Sequence, residues 1–383
     1  MVPYFVSQEV YYQTIIIGAG AAGIGFGSAM QRLGLTNFLI IEKGHIGESF
    51  LRWPRTTQFI TPSFTTNGFG FPDLNAVIPD TSPAFSFEKE HLSGVEYARY
   101  LQLVAAHYNL PIQNETSVLS IDKRDSLFVI KTSKGDFSAD YLIMATGEFQ
   151  NPNTIDIKGA DLGMHYGQVD NFHIKSDNPF IIIGGNESAC DALTHLVYLG
   201  NQVELYTDTF GRKESNPDPS ISLSPITKER LKHIQDHKKE YYSISEGKKA
   251  IEIKQIGKQY QVTFDDGSTA ESFHKPILST GFLNTCHLID GIALFEYDKN
   301  QLPIVTEDDE STIVNNCFLI GPSLRQRDTI FCYIYKFRQR FVPIINHIAQ
   351  REGIILDEDT LEFFKENQMY LDNLACCDVN CDC

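Results

Sequence analysis

Residues 14–23 read Thr-Ile-Ile-Ile-Gly-Ala-Gly-Ala-Ala-Gly, a short run of β-branched residues that ends in a G-x-G-x-x-G pattern. This order predicts a buried strand, then a tight turn, then a helix. In such a turn Gly18 permits the reversal, Gly20 lets a phosphate approach the backbone, and Gly23 lets the helix pack on the strand. A helix N-terminus placed there attracts a pyrophosphate, so the stretch predicts a dinucleotide site rather than a bare glycine turn.

The residues that follow complete a β-α-β unit. A helix is predicted from Ala21 to Leu33, with Gly34 as its stop, and a second strand from Asn37 to Ile41. Glu42 closes that strand, where a carboxylate accepts hydrogen bonds from both hydroxyls of a ribose. The predicted site of this first unit therefore comprises Gly18, Gly20, Ala21, Ala22, Gly23, Glu42 and Lys43.

A second, degraded copy of the same unit follows later in the chain. Strands are predicted over Phe180–Ile183 and Gln202–Tyr206, with a helix over Ala189–Leu199 between them. In the turn, Asn186 stands where the second glycine is expected. The predicted second dinucleotide site comprises Gly184, Asn186, Glu187, Ser188 and Ala189, with Arg212 beyond the second strand. A base there favours the extra phosphate of NADP, although a solvated loop charge explains Arg212 equally well.

Length and composition fit a soluble protein of two or three domains. The chain has 383 residues, of which 42% are hydrophobic and 21% charged. The net charge of −17 argues against binding to nucleic acid or to an anionic membrane. The uncharged stretch Thr14–Met30 is interrupted by glycines and is interpreted as strand plus helix, not as a membrane span. Because the first ten residues lack the charge pattern of a secretory signal, a cytoplasmic location is expected.

Two further motifs bracket the second unit. Ala145-Thr146-Gly147 and Ser279-Thr280-Gly281 each end a predicted strand, and Gly321 follows a late strand. In this order, with the two dinucleotide turns, the sequence resembles the flavoprotein superfamily of two-domain pyridine nucleotide-disulfide oxidoreductases. Within it, the chain is similar to the small bacterial flavin-containing monooxygenases and to bacillithiol-disulfide-reductase-like flavoproteins.

The resemblance implies an α/β fold with two Rossmann-like, three-layer domains, the second inserted in the first. Residues 1–155 and 285–350 would form a discontinuous FAD-binding domain, and residues 156–284 an NAD(P)H-binding domain. Residues 351–383 would add a C-terminal helix, with a capping box formed by Asp359 and Glu362, and a cysteine-rich tail. FAD and NADPH are the implied cofactors, with NADH as the alternative.

The resemblance also implies further residues at the flavin. Similar proteins lay a loop like the one containing Gly47, Ser49 and Trp53 against the flavin, followed by a stretch containing Thr61; a core aromatic explains Trp53 equally well. Asp328 and Thr329 would begin a helix over 329–350, with its dipole directed at the flavin. His165, between the two dinucleotide units, is interpreted as a polar loop residue. The other residues implied at the cofactor are Ala145, Thr146, Gly147, Gly281 and Gly321.

The sequence does not decide which molecule accepts the electrons from the flavin. No C-x-x-C occurs, and Ala22 stands where bacillithiol-reductase relatives carry a cysteine. The leading hypothesis is a flavin monooxygenase acting on oxygen and a small molecule. The alternatives are a reductase of a low-molecular-weight disulfide or soft metal ion, and a non-catalytic redox or metal sensor. Both alternatives draw on four terminal thiols as a relay or as soft-metal ligands: Cys376, Cys377, Cys381 and Cys383. A homodimer is compatible with the sequence, which does not fix the oligomeric state.

Overall fold

The computed structural model describes residues 9–64, 72–211 and 218–374. The helices are α1 (Ala21–Arg32), α2 (Glu48–Leu51), α3 (Pro83–Phe87), α4 (Gly94–His107), α5 (Glu187–Tyr198), α6 (Pro225–His237), α7 (Ile334–Phe337), α8 (Phe341–Arg351) and α9 (Glu358–Glu366). The strands are β1 (Val10–Ile17), β2 (Phe38–Ile41), β3 (Ile112–Gln113), β4 (Val118–Arg124), β5 (Leu127–Thr132), β6 (Gly135–Met144), β7 (Met164–His165), β8 (Phe180–Ile183), β9 (Val203–Thr207), β10 (Tyr242–Glu246), β11 (Ala250–Ile256), β12 (Gln259–Phe264), β13 (Thr269–Ser272), β14 (Ile277–Leu278), β15 (Asp290–Gly291), β16 (Glu296–Tyr297), β17 (Pro303–Ile304), β18 (Cys317–Leu319), β19 (Arg325–Gln326) and β20 (Thr329–Ile330).

The first sheet has eight strands in the order β15-β4-β5-β6-β1-β2-β3, and β18 also pairs with β6. Strands β3, β2, β1, β6 and β18 run parallel, whereas β4 and β5 form an antiparallel extension. Ile15, Ile16 and Ile17 are buried, as expected of a parallel strand covered on both faces. The predicted first β-α-β unit is confirmed, with helix bounds within one residue of the prediction.

The second sheet has five parallel strands in the order β10-β9-β8-β14-β7. Helix α5 packs on one face through residues such as Leu193 and Leu196. The antiparallel strands β11, β12 and β13 cover the other face, where Val262 and Phe264 contact Ile181 and Ile183. The predicted α/β fold with Rossmann-like parallel cores is therefore confirmed, and this second unit lies in the chain between β6 and β15 of the first.

The predicted long helix over 329–350 is wrong. Asp328 and Thr329 belong instead to a β-hairpin, in which Gln326 pairs with Thr329 across a turn where Arg327 has a φ of 51°. The helical segment begins only at Ile334, and α8 follows a short 3-10 turn. Pro343 is the third residue of α8, in the first turn, where its missing N–H breaks no hydrogen bond within that helix.

The C-terminal helix is present, but its predicted capping box is wrong. Asp357, not Asp359, caps α9, because its side chain accepts a hydrogen bond from the backbone N–H of Thr360 at 2.8 Å. Asp357 has the extended backbone that an N-cap requires, whereas Asp359 already lies inside the helix.

A buried ion pair ties the C-terminal segment to the first sheet. The side chains of Arg340 and Asp309 are 2% and 0% exposed, and Arg340 Nε donates to Asp309 Oδ2 at 2.6 Å. The other guanidinium nitrogens donate to the carbonyl oxygens of Leu371 at 2.6 Å and Glu307 at 2.7 Å. All three nitrogens of this guanidinium therefore donate a hydrogen bond, which is the condition under which a buried charge is tolerated.

Candidate dinucleotide-binding cavity

A cavity of about 580 Å³ lies where the carboxyl ends of β1, β2 and β6 meet the second sheet's helix α5. Cofactor sites in open α/β sheets lie at this end of the strands, and their volumes fall in this range. The sequence-predicted residues that line the cavity are Gly18, Gly20, Ala21, Ala22, Glu42, Lys43, Ser49, Trp53, Thr61, Ala145, Thr146, Gly147, Glu187 and Ser188. The cavity thus collects residues from both dinucleotide turns.

The first glycine turn has the shape that a pyrophosphate requires. Gly18 has a φ of 109°, a conformation that favours glycine. A Cβ on Gly23 would lie 1.9 Å from the carbonyl oxygen of Gly18, so only glycine lets α1 approach the strand. At Gly20 a Cβ would meet no atom within 4 Å, which leaves open space in front of the N-terminus of α1. These residues fit a dinucleotide such as FAD.

Glu42 is held rigidly at the edge of the cavity. Its Oε2 accepts a hydrogen bond from the N–H of Ala19 at 2.7 Å, and its Oε1 accepts one from the N–H of Gly44 at 2.8 Å. The residue is 6% exposed. Since each carboxylate oxygen has a second lone pair, the group can still accept hydrogen bonds from ribose hydroxyls.

The loop after β2 contributes both to the cavity wall and to packing. Trp53 lines the cavity, and its ring centroid lies 5.1 Å from that of Phe50 and 4.9 Å from that of Phe59; it packs in an aromatic cluster, and its contact with the flavin stays a prediction. Gly47 does not line the cavity. A Cβ on it would lie 2.9 Å from Ala98 on α4, so it serves close packing instead.

Other predicted residues stand behind the wall or elsewhere. The carbonyl oxygen of Gly281 accepts a hydrogen bond from His165 Nε2 at 2.9 Å. A Cβ on Gly321 would lie 3.3 Å from the Cβ of Ala22. Asp328 and Thr329 are displaced by the hairpin, and Cys332, Tyr333, Ile334 and Phe337 line the cavity in their place. The predicted residues that do not line the cavity are Gly23, Gly47, Gly184, Asn186, Ala189, Gly281, Gly321, Asp328 and Thr329. Arg212 lies outside the described residues.

The interpretation of His165 as a loop residue is wrong. His165 belongs to β7, is 2% exposed, and accepts a hydrogen bond from the N–H of Gly167 through Nδ1 at 3.2 Å. Burial lowers the pKa of this imidazole. The residue joins the end of β7 to Gly281 after β14, and so holds two strand ends of the second sheet together.

The second turn is built for close packing and for ligand contact. Gly184 has a φ of 127°, and a Cβ there would lie 2.2 Å from the carbonyl oxygen of Ser279. Glu187 begins α5 and accepts hydrogen bonds from the N–H of Ser224 and from Thr227 Oγ1, both at 2.5 Å. A smaller cavity of about 180 Å³ beside this turn is lined by Gly184, Tyr206, Thr207, Asp208, Lys248 and Lys249, among other residues.

A polar group that the sequence analysis missed lies in the cavity wall between the two sheets. Tyr166 donates a hydrogen bond to Asp191 Oδ2 at 2.6 Å, and its hydroxyl lies 2.5 Å from Thr57 Oγ1. Glu148 also lines the cavity, and burial raises the pKa of its carboxyl group. These residues stand far apart in the chain and share no motif, so no sequence pattern could have grouped them.

The described cysteines offer no ready redox pair. Burial raises the pKa of Cys190 to about 12 and that of Cys286 to about 11, and it also raises the pKa values of Cys317 and Cys332. All four are free thiols, and of them Cys332 lines the cavity. Protonated thiols are poor nucleophiles at neutral pH. The terminal group, Cys376, Cys377, Cys381 and Cys383, lies outside the described residues.

Within residues 9–64, 72–211 and 218–374, no helix has the length and apolar character needed to cross a membrane. Over the same described part of the chain, no three His, Cys, Asp or Glu side chains come together in a way that could hold a metal ion.

A chain with two Rossmann-like units, in which the first turn and the start of α5 line one cavity, has the architecture of the two-nucleotide flavoprotein folds. The family model for pyridine nucleotide-disulphide oxidoreductase matches residues 15–321. The chain belongs to that family.

Two curated relatives match about half of the chain. An uncharacterized oxidoreductase, CzcO, of Bacillus velezensis is 30% identical over 187 residues, which cover 46% of this chain and 50% of the relative. Bacilliredoxin reductase Bdr of Bacillus subtilis is 28% identical over 192 residues, which cover 50% of this chain and 55% of that protein. The chain thus spans about half the length of these relatives.

Solved structures match over almost their whole length. Bacillithiol disulfide reductase Bdr (YpdA) from Staphylococcus aureus has a TM-score of 0.71 at 21% identity, covering 90% of this chain and 99% of the other. A flavin-containing monooxygenase from Stenotrophomonas maltophilia has a TM-score of 0.69 at 14% identity, covering 89% and 99%. At such identities these likenesses establish the fold.

Proposed function

We propose that this protein is an FAD-dependent NAD(P)H oxidoreductase. The observation that carries the proposal is the single cavity lined by Gly20 of the first turn and by Ser188 of the second. Two dinucleotides bound at these turns would meet inside one cavity. FAD, when bound, accepts a hydride from the nicotinamide and passes two electrons to a second acceptor.

The roles of the residues follow from their positions. Gly18, Gly20 and the N-terminus of α1 would hold the FAD pyrophosphate, and Glu42 its ribose. We assign FAD to residues 1–155 and 285–350, and NAD(P)H to residues 156–284. Lys248 and Lys249 line the smaller cavity beside Gly184, where Lys248 pairs with Asp266 and Lys249 pairs with Asp156; these two basic side chains are the observation behind NADPH as the donor.

For the acceptor, we propose oxygen together with a small substrate, as in a flavin monooxygenase. The described thiols support this choice, because they are free and because burial raises their pKa values. Among the described thiols, Cys286 and Cys317 interact with each other, but both are buried and neither lines the cavity, so neither supports a dithiol relay to the flavin. Aromatic side chains of Trp53, Phe149 and Phe282 line the same cavity and suit an apolar substrate.

The test of the proposed function is anaerobic reduction. We expect the purified protein to be yellow and its flavin absorbance to bleach when NADPH is added, and more slowly when NADH is added at the same concentration. Admission of oxygen should then restore the absorbance. A protein that carries no flavin, or whose flavin neither nucleotide reduces, would contradict the proposal.

A second candidate is a reductase of a low-molecular-weight disulfide, because Cys332 lines the cavity and the terminal cysteines add thiols. Exchange of Cys376, Cys377, Cys381 and Cys383 for serine separates the two candidates. We expect NADPH oxidation with oxygen to stay within about twofold of the unmodified protein, because oxygen needs no thiol relay. Cys332→Ser tests in the same way the described thiol that lines the cavity. Loss of NADPH-dependent disulfide reduction in the quadruple variant, with oxygen consumption unchanged, would favour the reductase.

A further inference from the structure

Three side chains from distant parts of the chain form a continuous hydrogen-bonded line in the cavity wall, and we call them the hydroxyl relay: Thr57, Tyr166 and Asp191. Thr57 lies on the loop after β2, whereas the other two belong to the second unit. Thr57 Oγ1 lies 2.5 Å from the Tyr166 hydroxyl, and Tyr166 donates to Asp191 Oδ2 at 2.6 Å. Thr57 Oγ1 can also donate directly to Asp191 Oδ2 at 3.1 Å, a longer contact than either step through Tyr166. All three line the cavity, and Tyr166 is 6% exposed.

The chemistry of the three groups fixes how the protons are arranged. Burial, together with the Asp191 carboxylate, holds the pKa of Tyr166 well above its usual value, so Tyr166 keeps its proton and donates it to Asp191. At the 2.5 Å contact Thr57 donates to Tyr166, whose own proton is directed to Asp191; turning the Thr57 hydroxyl gives instead the longer hydrogen bond of 3.1 Å to Asp191 Oδ2. The oxygen of Thr57 can then still accept a hydrogen bond from a group bound in the cavity. Because each hydroxyl both donates and accepts, the line can carry a proton in either direction once the hydroxyls turn.

The outer end of the relay borders a partly exposed histidine. His195 Nε2 is buried and makes no hydrogen bond, but it lies 3.3 Å from Asp191 Oδ1, one turn further along α5, and the His195 side chain as a whole is 22% exposed. Arg230 Nη1 lies 3.3 Å from the same carboxylate oxygen and places a positive charge beside it. Glu187, one turn earlier on α5, is occupied by Ser224 and Thr227. Asp191 therefore faces one partly exposed imidazole, whose two ring nitrogens can each carry a proton.

We propose that Thr57, Tyr166 and Asp191 conduct protons between solvent and the cavity during turnover. The inference rests on the proposed function. Oxidation of NADPH by dioxygen to hydrogen peroxide consumes one proton: NADPH, H⁺ and O₂ give NADP⁺ and H₂O₂. Oxygenation of a substrate and reduction of a disulfide to two thiols each consume one proton as well. The nicotinamide supplies a hydride, so this proton comes from water whichever acceptor is used.

The transfer balances without a further reactant. A protonated Asp191 gives its proton to Tyr166, Tyr166 gives its own to Thr57, and Thr57 gives its own to the acceptor in the cavity. Each oxygen forms one O–H bond and loses another, and Asp191 is left ionised beside Arg230. His195 then returns a proton from water to Asp191. Hydride transfer from NADPH to oxidised flavin needs no proton, so the relay acts only in the second half-reaction.

The experiment separates the two half-reactions of the flavin-containing protein. In Tyr166→Phe and Thr57→Val, we expect anaerobic reduction by NADPH to stay within about twofold of the unmodified protein. Reoxidation by dioxygen should slow by about tenfold, and its solvent deuterium isotope effect should change. A pH-indicator dye should show proton uptake lagging behind the return of flavin absorbance. Thr57→Ser, which keeps the hydroxyl, should restore the unmodified rates.

A matched control exists in the same chain. The Tyr108 hydroxyl donates to Asp80 at 2.7 Å, and Asp80 pairs with Arg32 at 2.5 Å, which repeats the tyrosine–aspartate–arginine arrangement outside the cavity. Tyr108→Phe should leave both half-reactions and the proton trace unchanged. A second readout is the infrared difference spectrum recorded during reoxidation, in which a carboxyl band should be absent from Asp191→Asn.

The following outcomes would contradict the relay. If Tyr166→Phe slows reduction and reoxidation equally, or if Tyr108→Phe has the same effect, the three residues only hold the two units together and the relay is wrong. If proton uptake in Tyr166→Phe keeps pace with reoxidation, the relay is also wrong. If NADPH never reduces the flavin of the unmodified protein, the proposed function itself fails, and the relay fails with it.

Discussion

Replacement of Gly20 by valine should strip the flavin from the purified protein while leaving the ligand-free fold almost unchanged. The backbone of Gly20 has φ −81° and ψ −168°, an extended conformation that valine adopts readily. A Cβ there would meet no atom within 4 Å, so the free energy of unfolding should change by less than about 1 kcal/mol. The valine methyl groups would project into the space where the pyrophosphate must approach the backbone. The ratio of flavin to protein absorbance measures the first effect, and urea unfolding of the ligand-free protein measures the second.

The control for this prediction stands three residues further along the same turn. A Cβ on Gly23 would lie 1.9 Å from the Gly18 carbonyl oxygen, which is backbone and cannot swing away. Gly23→Ala should therefore destabilise the ligand-free protein by several kcal/mol, of the order seen for severe overpacking, about 3 kcal/mol. Retention of a full complement of flavin by Gly20→Val would refute the assignment of this turn to the FAD pyrophosphate.

Arg340→Met should lower the free energy of unfolding by roughly 3–5 kcal/mol, the cost of leaving a buried charge without its partner. Asp309 is fully buried, and burial already raises the pKa of its carboxyl group. Without the guanidinium, Gln326 alone would remain hydrogen-bonded to that carboxylate. The carbonyl oxygens of Leu371 and Glu307 would also lose their donor. Urea unfolding monitored by circular dichroism gives the difference.

Two comparisons make this second prediction specific. Asp309→Leu added to Arg340→Met removes the uncompensated charge, so the double variant should recover part of the loss. Arg55 pairs with Asp170 on the surface, where the two side chains are 77% and 66% exposed. Arg55→Met should cost less than about 1 kcal/mol, because water screens that pair. Equal losses from the buried and the exposed pair would show that the burial argument is wrong.

The parts of the fold that could be predicted are those whose signal lies in adjacent residues. The run Thr14–Gly23 carries strand, turn and helix in one stretch, and the helix ends at Arg32 where Leu33 had been expected. The 329–350 helix failed for the opposite reason. Asp328 and Thr329 form a local helix-start signal, but their backbone pairs in a hairpin that the chain forms only in its tertiary context.

The residues of the candidate site, too, could be predicted only where their signal lies in adjacent residues. Both glycine turns could be identified, because the requirement for small residues appears in the sequence itself. The contact between Thr57 and Tyr166 joins residues that are 109 positions apart, and the contact between Thr57 and Asp191 joins residues that are 134 apart. Each of the three is an ordinary polar residue in its own neighbourhood, so only the packing of the two sheets reveals that they belong together.

The pairing of β18 with β6 has a consequence for the order in which the protein can be made. Leu142 and Met144 present their backbone on one side to β1 and on the other to Cys317 and Leu319. A ribosome that has just completed β6 has yet to translate the whole second unit before β18 emerges. Through that interval the nascent sheet carries an exposed edge along Tyr141–Met144, the apolar end of β6, and such edges recruit other chains. Molecules released prematurely within the second unit would keep this edge permanently, so we expect them to depend on chaperones or to aggregate.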